Sequence, residues 1–185
     1  MKKILYYHLD DLQRKVYPSI AKRLGYLMVG IDDTNLFQTI EELFNVEDST
    51  RGKCESYPLS FLIFQETSNE ELMILLDAFK TAHMPFLGIK VVRTPTNEKW
   101  ILQQLLSETY EEHKIFQSAK LLDQLIRSAN EIDLTQLSDT NQETFKHTLM
   151  DSYLLLKSGQ FERIELEVQI QKMKDALMLV KKVVH

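Results

Sequence analysis

Four short runs of β-branched and aromatic residues, at positions 4–7, 26–31, 61–64 and 86–92, are each followed by a stretch of three-to-four-residue apolar periodicity. A short apolar run bounded by polar residues marks a strand, and the longer period marks one face of a helix. Alternation of the two implies crossover helices on a sheet whose strands run largely the same way. The chain therefore reads as α/β: a four-stranded, mainly parallel open sheet with flanking helices, plus a C-terminal helical hairpin or bundle. Residues 1–112 are expected to form the α/β domain and residues 113–185 the helical region.

The helical patterns are specific. Leu9, Leu12, Val16, Ile20 and Leu24 form one face, with Pro18 predicting a kink or a late start and Gly25 a stop. Thr34 is placed to cap a short helix that turns Leu36, Ile40, Leu43 and Phe44 inward. Residues 46–58, with Asp48, Ser49, Gly52 and Pro58, read as a loop or ragged crossover. Ser68 and Glu71 form a capping box before Leu72, Leu75, Leu76 and Phe79. Ile101, Leu102, Leu105 and Leu106 continue a helix that begins near residues 94–97. Residues 107–114 contain neither Gly nor Pro, so a continuous helix is expected there.

Beyond that point no strand signal remains. Ile115, Ala119, Leu122, Ile126 and Ala129 step by four and three, as do Phe145, Leu149, Ser152 and Leu156 behind an Asp139 cap. Leu166, Ile170, Met173, Leu177, Val180 and Val184 keep the same rhythm, and Gly159 suits the left-handed turn of an antiparallel hairpin. The last helix carries a second apolar stripe, Ile164, Val168, Ala176, Met178, Leu179 and Val183. A helix wet on one side needs only one such stripe. Either the helix is sandwiched within the chain or Leu166, Ile170, Met173, Leu177 and Val180 belong to a contact with another molecule.

Composition excludes several classes. A hydrophobic content of 44% fills a real core, and a net charge of -5 without a basic cluster argues against nucleic acid. Cys54 is the only cysteine, which excludes an internal disulfide and a thiolate zinc site and suits a reducing compartment. Lys53 and Arg51 beside it would favour thiolate, but an unreactive, exposed thiol is the expectation for this loop. The apolar run at 4–7 ends at His8, Asp10 and Asp11, too short for a signal segment. No segment approaches the roughly 18 apolar residues of a membrane span. A cytoplasmic protein without membrane association is expected.

The most distinctive string is Arg93-Thr94-Pro95-Thr96-Asn97-Glu98-Lys99-Trp100. It joins the fourth strand to a helix, and ligands of open α/β sheets bind beyond the carboxyl ends of the strands. Thr94, Thr96, Asn97 and Trp100, with His8 and Asp10 from the first strand's end, are the candidate ligand-binding residues for a small anion or polar metabolite. Thr followed by Pro is equally what a helix cap looks like, with Thr94 at the cap and Pro95 in the first turn.

Residues 57–113, through the run from Gly88 to Asn97 and Trp100, resemble an uncharacterised bacterial family of unknown function marked by a T-P-T-N-x-x-W string after a strand. The resemblance implies that this loop is the part to watch. It implies no activity, and it leaves the C-terminal helices outside.

Catalytic and cofactor motifs are missing. The chain lacks G-x-S-x-G, G-x-G-x-x-G, the phosphate-binding G-x-x-x-x-G-K and H-E-x-x-H, and its five histidines are scattered singly. A phosphoacceptor receiver needs a carboxylate at the end of the third strand, where Gln65 stands. No cofactor or metal is implied. The expected function is a non-enzymatic interaction or regulatory module whose C-terminal helices mediate self-association or partner binding. The alternative is a small-ligand site at residues 94–97, in a sensor or an enzyme.

Overall fold

The computed structural model describes residues 1–46 and 52–183. Asp48, Ser49, Arg51 and Val184 lie outside the described residues. Two compact units divide the chain at Tyr110 and Glu111.

In the first unit, strands β1 (Lys2–Tyr7), β2 (Tyr26–Ile31), β3 (Phe61–Phe64) and β4 (Ile89–Val92) form one sheet in the order β2-β1-β3-β4. β1 and β2 are parallel with Tyr7 opposite Ile31, and β3 and β4 are parallel with Phe64 opposite Val92. Between these pairs β1 runs antiparallel to β3, with Ile4 opposite Phe64 and Tyr7 opposite Phe61. The sheet is therefore mixed: two of its three pairings are parallel, and the central β1–β3 pairing departs from the mainly parallel expectation. Each βαβ unit pairs its own two strands in parallel, but the long connection between the units returns the chain in the opposite direction. The carboxyl ends of β1 and β2 thus lie at one edge and those of β3 and β4 at the other.

Side-chain alternation sends the strands' residues to two cores. Leu5, Tyr7, Val29, Ile31, Phe61 and Ile63 pack with α2 (Ile40–Asn45) and with Leu102, Leu105 and Leu106, the opening turns of α4 (Leu102–Asn130). Ile4, Tyr26, Leu62 and Phe64 face the other way, onto α1 (Asp11–Arg23) and α3 (Asn69–Thr81), where Tyr17 stacks on Phe79 at 3.9 Å. β3 is buried at all four positions because helices cover both faces.

Several local expectations hold and several shift. Ser68 and Glu71 do cap α3 reciprocally. Asp10 caps α1, which starts at Asp11 and runs through Pro18, so the proline does not delay the helix. Thr34 is not a cap. Asp32 caps a single 3-10 turn, Asp33–Asn35, and Thr39 with Glu42 caps α2. β4 starts only at Ile89, because Gly88 is pressed against β3's entry. A Cβ there would stand 2.1 Å from the Ser60 carbonyl oxygen.

The second unit is helical. It holds the rest of α4, which is continuous through residues 107–114, then α5 (Asp139–Ser158) and α6 (Arg163–Val183). Ser138, one residue before the expected Asp139, caps α5, and Gly159 ends it at φ 64° in the left-handed region. Leu122, Ile126, Phe145, Leu166, Ile170 and Met173 form the core of this unit.

Candidate functional site

Reversal of β3 separates the candidate ligand-binding residues. Gln65 donates its backbone N–H to the Lys3 carbonyl and Arg93 donates to that of Phe64, which sets Thr94 beyond the Lys3 end of β1. His8 follows the other end of that strand, roughly 17 Å away at about 3.3 Å per residue. His8 and Asp10 share one edge of the sheet, and Thr94, Thr96, Asn97 and Trp100 share the opposite edge.

At the second edge the polar groups are engaged with one another. The Asn97 side-chain oxygen accepts from the Thr94 amide at 2.7 Å, and the Asn97 amide donates to Thr94 Oγ1 at 3.2 Å. Asn97 Nδ2 donates to the Val92 carbonyl at 3.0 Å. Arg93 pairs with Glu98 at 2.7 Å and lies over the Phe44 ring. Thr96 is exposed and makes no side-chain cap bond. Trp100 packs on the core that contains α2, and its carbonyl accepts from the Ile40 amide at 3.0 Å. The opening N–H groups of α4 are also taken: Leu102 donates to the Gln38 carbonyl and Gln103 to that of Leu36. The T-P-T-N-x-x-W string thus builds a self-satisfied turn that seats α4 against the segment preceding α2.

The first edge carries a cleft of about 420 Å³ lined by Tyr6, His8, Leu9, Arg14, Ile31 and residues 52–55. It forms where β1 and β2 end side by side and α1 begins, the position that favours ligands in parallel sheets. His8 adopts φ 57°, uncommon for a residue with a Cβ. Its ring Nδ1 lies 2.9 Å from the Tyr57 carbonyl, and its own carbonyl accepts from Ser60 Oγ at 2.6 Å.

Two aspartates organise the cleft's far wall. Buried Asp32 accepts from the Thr34 amide at 2.8 Å and from the Gly52 amide at 2.6 Å. A Cβ on Gly52 would meet that carboxylate at 2.8 Å, so a side chain there would displace the Asp32 carboxylate. Asp33 accepts from the Tyr7 hydroxyl and from the amides of Glu55 and Ser56. Burial pushes the Asp33 carboxyl up, but these hydrogen bonds outweigh it and hold the group below the ordinary carboxylate value. Burial first, then the same bond to Asp33, pushes the Tyr7 hydroxyl far above its usual range.

Cys54 sits half-buried in this wall, its thiol 3.6 Å from the Ile31 carbonyl. Burial pushes its pKa up, with the neighbouring aspartates adding to the shift against the opposing pull of the His8 amide and Arg14. Of the two readings of Cys54 this supports the unreactive thiol, which is half-buried rather than exposed. Arg14 pairs with Asp11 and Lys53 with Glu55. Among the described residues no group of three metal-ligating side chains is assembled.

Sequence reasoning missed Asp32, Asp33 and Arg14. The available signal was the acidic pair placed directly after the second strand run, where it must face the carboxyl edge.

In the helical unit, Leu166, Ile170, Met173 and Val180 are buried and Leu177 is partly buried, all within the unit's own core. The second stripe behaves differently: Ile164, Val168, Met178 and Leu179 are exposed, whereas Ala176 is buried. No helix among the described residues is long and apolar enough to cross a membrane.

Residues 60–116 match the model of a family described as a domain of unknown function (DUF3783), spanning β3, α3, β4, the turn at residues 94–97 and the first part of α4. No curated protein and no solved structure matches the chain.

Proposed function

We propose that this chain is a non-enzymatic interaction protein that self-associates through its helical unit. The observation that carries the reading is the division of apolar residues there. One seam satisfies the unit's core, yet Met150, Tyr153 and Leu154 of α5 and Ile164, Val168 and Met178 of α6 are each more than half exposed. Large apolar side chains left this exposed on both helices suit a contact surface. Sedimentation of the full chain over a concentration series tests it, with a concentration-dependent dimer or larger species as the expected result. A strict monomer at every concentration overturns it.

A second reading is a small polar or anionic ligand in the cleft between His8 and Arg14. It is supported by the cleft's place at the carboxyl ends of parallel strands and by the Arg14 and Lys53 cations that line it. The same ligand class at residues 94–97 has less support, because Thr94 and Asn97 are spent on each other. A thermal-shift panel of small anions tests the cleft. A stabilisation that Arg14→Ala removes supports it, and one that only Asn97→Ala removes overturns it in favour of the turn.

A further inference from the structure

We infer that two copies of this chain pair through α5, antiparallel, about a two-fold axis at Met150. The inference rests on the self-association proposed above and names its surface. α5 turns Phe145 and Ser152 inward, while Glu143, His147, Met150, Leu154 and Lys157 are exposed. At about 100° per residue these five fall on one stripe with Met150 in its middle turn. Alongside runs a mainly apolar groove between α5 and α4, about 450 Å³, lined by Ile126, Leu149, Met150 and Tyr153 with Asn130 and Lys146.

Charge selects a second copy as the occupant. Glu143 and Lys157 stand seven positions either side of Met150, about 10.5 Å along the axis at about 1.5 Å per residue. An antiparallel pairing through Met150 sets each Glu143 level with Lys157 of the other copy. Two ion pairs then flank a Met150–Met150 contact, and the two-fold makes them identical. The same placement lays Lys146 against the other copy's Tyr153 ring and His147 against its Leu154. A parallel pairing would oppose Glu143 to Glu143 and Lys157 to Lys157. Complementarity of this kind fixes orientation and register.

The test is sedimentation of the full chain as wild type, Glu143→Lys, Lys157→Glu and the double exchange, with far-UV circular dichroism as the control for folding. Each single reversal should raise the dimer dissociation constant by about tenfold or more, and the double exchange should restore it. Independently, Met150→Cys in a Cys54→Ser background should give a covalent dimer with a short bis-maleimide, a readout that involves no charge change. A dimer that ignores both reversals and gives no 150–150 cross-link overturns this surface while leaving self-association standing. A monomeric wild type overturns both.

Discussion

Gln169 donates its side-chain amide to Ser152 Oγ across 2.9 Å, joining α6 to α5 inside an otherwise apolar core. The same amide donates to the Thr148 carbonyl at 3.2 Å, and Ser152 Oγ donates to that carbonyl at 2.7 Å. Apolar packing alone tolerates a hairpin that slides by a turn. A buried polar pair does not, since slippage strands its donors. Gln169→Ala should cost about 1–3 kcal/mol, the range for breaking a buried hydrogen bond. Urea unfolding followed by circular dichroism measures it, and a double-mutant cycle with Ser152→Ala should show coupling.

Gly88 should tolerate no side chain. The Ser60 carbonyl occupies the Cβ position, and it is backbone that cannot swing aside. Gly88→Ala is expected to lower stability by about 1–3 kcal/mol, as overpacking does. Chemical denaturation reads the loss.

Asn97→Ala separates capping from binding at the turn of the T-P-T-N string. Its three hydrogen bonds are all internal to residues 92–97, so the variant should lose about 0.5–2 kcal/mol as cap deletions do. An unchanged melting temperature would contradict the structural role.

Asp33 should make stability depend on acid. Its folded-state pKa lies below the ordinary value of 3.8, so its contribution is complete above that value. The contribution is lost as pH falls through the lower folded value. Asp33→Asn should therefore be less stable than wild type at pH 7, and the gap should close on acidification below 3.8. Melting temperatures across pH 2–7 supply the comparison.

Cys54 should react slowly. Its raised pKa and half-buried position predict slower labelling by iodoacetamide at pH 8 in the native protein than in urea. Equal rates would show an open, unperturbed thiol.

Much of the fold is legible locally. Ser68 with Glu71, the left-handed Gly159 and the uninterrupted helix through residues 107–114 depend only on neighbours within a few positions, where capping and propensity act. The short helix after β2 was legible only in outline. Thr34 and Asp32 are both good caps, and the Asp32 carboxylate that does cap also holds the Gly52 amide of a distant segment, which local pattern does not show. The seam of α6 was legible as an apolar face, but periodicity is the same whether such a face meets its own chain or another.

The sequence by itself determined the order of strands and helices and most of their inward faces, because side-chain alternation and helical period are properties of a single segment; Leu12 and Leu24, on the expected inner face of the first helix, are exposed. It could not determine the direction of β3 beside β1. Inward-facing positions alternate identically in parallel and antiparallel neighbours, so Phe61, Leu62, Ile63 and Phe64 are compatible with either. Tertiary structure decided that direction. With it came the separation of His8 from Thr94 and the meeting of His8, Arg14, Gly52 and Cys54 around one cleft, with Asp32 holding Gly52 from behind, residues that local patterns cannot bring together.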